Sequence, residues 1–127
     1  MEFLLDTHTL IWFFNGDRKL SENSKTIIQD INTNKFISVA SIWEMSIKQS
    51  KGKLHLQSSI EEIVLHLVEN GVDILNINTT HALKVKALNF HHKDPFDRML
   101  IAQAMVEQLQ IISVDKIFDA YGVERVW

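Results

Sequence analysis

The chain contains no cysteine. That excludes disulfides, zinc–thiolate centres and cysteine nucleophiles, so any metal must sit on oxygen or imidazole ligands. It has one proline and four glycines, with no Ser/Gly-rich linker and no internal repeat. Nothing marks a boundary, and a single domain over residues 1–127 is expected. Long apolar runs are also missing. The longest, Leu10 to Phe14, falls far short of the roughly 20 residues that span a bilayer. The opening MEFLLDTHTL carries Glu2 and Asp6 and no basic region, unlike a signal peptide. No membrane is expected, and the cytoplasm is the default location.

What is present is ordinary for a globular protein: 127 residues, 46% hydrophobic and 23% charged. A chain of this size hides roughly two-thirds of its unfolded surface. Thirteen Lys+Arg against 16 Asp+Glu give a formal charge of −3. Alone, this argues against a nucleic-acid partner. If four acids serve as metal ligands, 16 − 4 leaves 12 acids against 13 bases, a net of +1. The charge therefore does not exclude an RNA substrate.

Hydrophobic patterning and stop signals predict alternating strands and helices. Phe3-Leu4-Leu5 is a buried strand ending at Asp6, followed by a helix from Thr7 to Phe14. Ser21 caps a helix to about Asn32, Lys35–Val39 is a strand, and Ser41–Ser50 is helical up to Gly52. Ser58 or Ser59 caps a helix that Gly71 closes, and Asp73–Ile77 is a strand. Thr79 or Thr80 opens a helix to about Leu88. Asp94 at the N-cap and Pro95 at the first position open another, to about Gln108. Gln110–Val114 is a strand ending at Asp115, and Glu124–Val126 a short final strand. The pattern predicts an α/β fold, with a mainly parallel central sheet flanked by helices on both faces. Ligands in such sheets bind beyond the carboxyl ends of the strands.

Four acids fall near those ends: Asp6, Glu44, Asp97 and Asp115. Gathered, they would repel one another unless a cation were bound. An all-oxygen donor set selects Mg2+ or Mn2+, which can activate water against a phosphodiester. Each acid also has a purely structural reading. Asp6 would cap the helix at Thr7, Asp97 sits at a capping-box position behind Asp94, and Asp115 would cap a turn at Lys116–Ala120. Glu44 would pair with Lys48 at i+4, although Ile42, Trp43 and Ile47 suggest a largely buried helix.

The motifs themselves resemble a known family. LLDTHTLIW is similar to the opening of PIN domains, SVASIWEMSIKQSKGKL to the segment carrying their glutamate, and IISVD to the strand before their fourth acid. HHKDPFDRMLIAQA, from His91 to Ala104, resembles the DPFDRxLxAQA signature of a subgroup of VapC toxins from VapBC type II toxin–antitoxin systems. The resemblance spans essentially the whole chain. It implies a PIN-domain endoribonuclease dependent on Mg2+ or Mn2+, a cognate VapB-type antitoxin, and a homodimer. It carries Asp6, Glu44, Asp97 and Asp115 over as the acidic tetrad, with Asp6 and Asp97 as direct ligands. Asp94 is an accessory acid or only the helix N-cap. Ser113 would bond Asp6 or a metal water, or simply satisfy the strand end.

Arg98 would touch a phosphate or pair with Asp94. Lys48, Lys51, Lys53, Lys93 and Lys116 would line an RNA groove or be plain surface. His8, His91 and His92 would contact RNA or assist proton transfer, whereas His55, His66 and His81 read as structural or surface residues. Trp12, Phe13 and Phe14 read as core or interface rather than base-stacking groups, because no basic residues interleave with them. Rival readings are weaker. A HAD-type phosphohydrolase needs a second aspartate where His8 stands, and a receiver domain needs an acidic pair at the first strand and a phospho-accepting aspartate ending the third. A catalytically dead PIN-like interaction module is opposed by the presence of all four acids.

Overall fold

The structure, a computed structural model, describes residues 1–54 and 56–127, so the reading of His55 lies outside the described residues. Among the described residues, five strands form one sheet: β1 (Glu2–Leu5), β2 (Asn34–Ser38), β3 (Val72–Leu75), β4 (Gln110–Ile112) and β5 (Arg125–Val126). The order is β3-β2-β1-β4-β5 and every pairing is parallel. Six helices join them: α1 (Thr7–Asn15), α2 (Glu22–Gln29), α3 (Val39–Ser50), α4 (Ile60–Glu69), α5 (Thr79–Val85) and α6 (Pro95–Glu107). A 3-10 helix spans Lys116–Tyr121.

The pleat sorts the core into two layers. Phe3, Leu5, Ile37 and Ile112 pack against Leu10 of α1, Ile28 of α2, Met45 of α3, and Ile63 and Leu67 of α4. On the other face Leu4 and Ile111 meet Leu100, Ile101 and Ala104 of α6, and Phe118. Successive strand residues face opposite layers, so a strand covered on both faces must be apolar throughout. FLL and QII meet that need with their buried positions. In β2, Lys35 is buried and donates from Nζ to the Asp30 carbonyl at 2.7 Å. Desolvation there pulls its amine below the usual lysine range.

Several boundaries differ from the sequence-based expectation, for local reasons. β2 stops at Ser38 and α3 begins at Val39, because the Ser38 hydroxyl accepts the Ala40 amide at 3.0 Å and caps the helix. Ser41, the expected start, lies inside the helix and turns to Thr7. α2 ends at Gln29 rather than Asn32, since the Thr33 hydroxyl takes the Ile27 and Asp30 carbonyls. Ser59, not Ser58, caps α4. α5 opens at Thr79, the earlier of the two expected threonines, with Asn78 as its N-cap and the buried His81 accepting the Asn78 amide in return. That helix closes at Val85, not Leu88. β3 runs from Val72 to Leu75. β4 ends at Ile112, so Asp115 follows it by three residues and caps the 3-10 helix. α1 ends where Gly16 adopts φ +62, a left-handed conformation that glycine enters without a Cβ clash.

β1 is the pivot of this topology. The chain moves from β1 to β2 and β3 on one side, then returns to β4 and β5 on the other. Leu5 is in register with Ile37 and with Ile112. The next residues, Asp6, Ser38 and Ser113, therefore stand abreast at the carboxyl end of three strands. In open α/β sheets, a reversal of strand order opens a crevice at that end.

Candidate active site

The crevice beside Asp6 holds a cleft of about 340 Å3. Its acidic lining comes from Asp6, Glu44, Asp94, Asp97 and Asp115, contributed by four separate segments of the chain. A larger cleft, about 590 Å3, opens at the amino ends of β1 and β4, but the acids lining it are only Glu2 and Glu124. Volume and chemistry disagree here, and carboxylate chemistry favours the smaller cleft.

Asp6 is buried as the N-cap of α1. Its Oδ1 accepts the Thr9 amide at 2.7 Å, and its Oδ2 accepts the Ser113 hydroxyl. The Asp6 amide extends the β1–β4 ladder to the Ile112 carbonyl at 3.2 Å, and the Thr9 hydroxyl donates to the same carbonyl at 2.8 Å. Asp6 therefore caps α1 while also lining the cleft.

Glu44 is buried in the second turn of α3. The Thr7 hydroxyl donates to Oε1 at 2.8 Å and Lys48 Nζ to Oε2 at 2.5 Å. That hydrogen bond holds the Lys48 ammonium above the usual lysine range. The two expectations for Glu44, a buried residue and an i+4 partner of Lys48, describe one arrangement.

Asp94 caps α6, its Oδ1 accepting the Phe96 and Asp97 amides at 2.7 and 3.3 Å. Asp97 is half-buried in the first turn of the helix, and among the described residues its carboxylate accepts no hydrogen bond. Burial, then the negative charge of Asp94, pushes its carboxyl up to about 7; Glu44 and Asp6 add to this and His92 opposes it. Asp115 uses Oδ1 to accept the Ile117 amide at 3.0 Å, and its Oδ2 lies 2.8 Å from His92 Nε2.

Ser113 ties two of these groups together, donating to Asp6 and accepting the Asp115 amide at 3.0 Å. Arg98 takes neither expected position. It is buried, and its guanidinium donates to the carbonyls of Val85, Leu88, Asn89 and His92 at 2.9–3.4 Å while stacking on Phe90. The reason is geometric: α6 turns Arg98 away from the cleft, into the last carbonyl of α5 and three in the chain that follows it. Of the five lysines, Lys48 lines the cleft, whereas Lys51, Lys53, Lys93 and Lys116 are exposed and stand outside its lining. His8 lines the cleft, and His91 stacks edge-on against Tyr121. His81 is buried in its cap, and His66 is exposed beside Phe14.

Three functional contacts escaped the sequence. Tyr121 fixes His92, its hydroxyl accepting the His92 amide at 2.7 Å. Thr7 holds Glu44. Trp12 lines the acidic cleft rather than lying wholly in the core. The adjacency of Thr7 to Asp6 was a usable signal; the other two depend on long-range packing.

Oxygen donors without a thiol suit a hard divalent cation. Among the described residues, however, no three carboxylate or imidazole groups stand close enough to hold one together. A Mg2+ site does not require that, since the ion typically takes one or two carboxylates and keeps several waters. Burial first, and then the neighbouring negative charges, raise the Asp97 carboxyl, and a cation bound beside it would offset both. Among the described residues, no helix is long and apolar enough to cross a membrane.

The PIN domain family model matches residues 3–124. No curated protein sequence matches the chain. Solved structures do. VapBC2 from Rickettsia felis, bound to a DNA fragment from their promoter, superposes with a TM-score of 0.69 at 14% identity, covering 99% of this chain and 98% of that one. A toxin–antitoxin complex from Klebsiella pneumoniae gives 0.67 at 21% identity, covering 98% and 95%. VapBC-1 from nontypeable Haemophilus influenzae gives 0.65 at 16%, covering 99% and 97%. At these identities the likeness is one of fold.

Proposed function

Because this chain belongs to the PIN-domain family, a nuclease family, we propose that it is a divalent-metal-dependent endoribonuclease and the toxin of a type II toxin–antitoxin pair, with residues 1–127 acting as one domain. The observation that carries the reading is the meeting of Asp6, Glu44, Asp97 and Asp115 in one cleft at the switch point of a parallel sheet.

Asp6 and Asp97 are the proposed direct ligands of Mg2+ or Mn2+. Asp6 is held rigid by Thr9 and Ser113, and Asp97 is the acid whose charge most needs a counter-ion. Glu44, braced by Thr7 and Lys48, and Asp115, braced by His92, would orient water around the ion. Asp94 mainly shapes the helix that presents Asp97. When bound, the ion would supply positive charge to the phosphoryl oxygens and make water more acidic. The protein's share is a set of carboxylates fixed in advance, which limits reorganisation during reaction. Lys48 at the rim would offset some of the repulsion between an acidic cleft and a polyanion.

An antitoxin partner is supported by the fold shared with the Klebsiella pneumoniae toxin–antitoxin complex. Exposed apolar side chains on α4, Leu65 and Val68, leave surface for a partner. A homodimer and a cytoplasmic location complete the proposal.

The test is RNA cleavage with Mg2+ and with EDTA, using Asp97→Asn as control. Cleavage that needs Mg2+ and disappears in the folded variant supports the reading. Hydrolysis of a phosphomonoester alone would point to a phosphatase. RNA or partner binding without turnover, unchanged in Asp97→Asn, would point to an interaction module.

A further inference from the structure

The acidic cleft has a second wall of different chemistry. Trp12, half-buried on α1, lines it together with the exposed His8, in the same cleft as Glu44 and Asp97. The two rings lie 5.9 Å apart and are tilted by 44°. Lys19, from the loop after α1, places its ammonium 5.8 Å from the Trp12 ring. Trp127 braces the indole edge-on, at 5.9 Å and 65°. No such interleaving of basic and aromatic groups exists along the sequence around Trp12; the turn at Gly16 produces it by bringing Lys19 back over the helix.

A purely structural role accounts for the part of Trp12 that packs on the core. It does not account for an indole placed in the cleft with a cation beside it. We propose that Trp12 and His8 form a stacking platform for a nucleobase adjoining the phosphate held by the acids, so that the substrate is bound with that base unpaired and splayed from its neighbours. This rests on the nuclease reading for the position of the phosphate. Aromatic rings take any base on its π-face, and flanking cations follow the backbone. Lys48 lines the cleft and Lys19 stands beside the indole, two cations that offset the repulsion between a polyanion and the acids.

The test measures binding without turnover. A fluorescein-labelled single-stranded RNA hexamer is titrated with the Asp97→Asn protein in Mg2+, alongside hexamers in which one base at a time is replaced by an abasic ribose. One abasic position is expected to weaken binding by roughly five- to a hundredfold, the range of one stacked base. Trp12→Leu should produce the same loss with the intact hexamer. Combining the two should add nothing further. Additive losses, or no binding of the hexamer at all, would overturn the platform. Should Trp12→Leu fail to fold, Trp12→Phe and the exposed His8→Ala serve instead, each expected to shrink the abasic penalty by several-fold; an unchanged penalty rejects the proposal. If Trp12→Leu leaves RNA binding intact but alters the sedimentation of the protein, Trp12 belongs to an interface between copies and the platform is wrong. Cleavage in the wild type separates the two readings. Non-additivity without cleavage would remove the nuclease assignment and keep the platform. Cleavage with additive losses would do the reverse.

Discussion

Ser113 donates its hydroxyl proton to Asp6 across the β1–β4 boundary, joining residues 107 apart in the chain. The same oxygen accepts the amide of Asp115. One small side chain thus sets the spacing of two acids. Ser113→Ala would leave a buried carboxylate oxygen and an amide short of partners. A loss of about 1–3 kcal/mol is expected in urea unfolding, together with a fall in RNA cleavage. Ser113→Thr, which keeps the hydroxyl, should restore most of both. Full activity in Ser113→Ala would show that Asp6 holds its position without it.

Asp97 sets a pH dependence whose sign follows from linkage. Its folded-state carboxyl titrates at about 7, above the ordinary 3.8, so the folded protein holds this proton more tightly than the unfolded chain does. The metal-free protein should therefore lose stability as pH rises from about 4 to about 7, and lose no more from this group above that. Asp97→Asn should flatten the profile. Allowing for partial solvent exposure, the variant should gain on the order of 1–3 kcal/mol at pH 8. Melting curves from pH 4 to 8 in EDTA provide the check. Added Mg2+ should raise the melting temperature of the wild type more than that of the variant. A variant less stable than wild type at pH 8 would contradict the crowding argument.

Glu44 and Lys48 should behave as a coupled pair. Lys48→Met leaves a buried carboxylate with only the Thr7 hydroxyl as partner. Glu44→Gln leaves a half-exposed ammonium that water can serve. The first change is expected to be the more damaging, by roughly 1–2 kcal/mol. The double variant should recover part of the loss, giving a non-zero coupling in a double-mutant cycle. Both single variants should also reduce cleavage, since Glu44 is then displaced or neutralised.

Arg98 holds the end of α5 and the chain that leads to His92. Arg98→Ala would leave four carbonyls without their donor, with an expected loss of about 2–3 kcal/mol. Arg98→Lys should rescue little, because a single ammonium cannot reproduce the planar fork. Hydrogen exchange should quicken over residues 85–92 in both variants. If Arg98→Lys were as stable as wild type, the clamp would count for less than its four contacts suggest.

Asp6, Asp97 and Asp115 were legible as candidates because each follows a short apolar strand or sits in the first turn of a helix, whereas Glu44, in the second turn of α3, stood out through the resemblance of its segment to PIN domains. Asp94-Pro95 announces α6 by local chemistry alone, and Asp6 ends a strand of three apolar residues. The same local rules misplaced the start of α3, because Ser38 and Ser41 are equally good caps by composition. Only the pairing of Ser41 with Thr7 decides between them. They also left Arg98 between a phosphate and Asp94. Its true partners are the last carbonyl of α5 and three in the chain that follows it, which no i+4 pattern points to.

By itself, the sequence determined the alternation of strands and helices and the absence of sulfur ligands. These follow from hydrophobic period, turn chemistry and residue type, all read over a few neighbours. The tertiary structure alone decided that β1 lies between β2 and β4, and so which side chains meet. That order brings Ser113 to Asp6, His92 to Asp115, and Trp12 into the cleft that holds the acids. Such contacts join segments up to 107 residues apart, and they exist only once two buried layers have closed on both faces of the sheet.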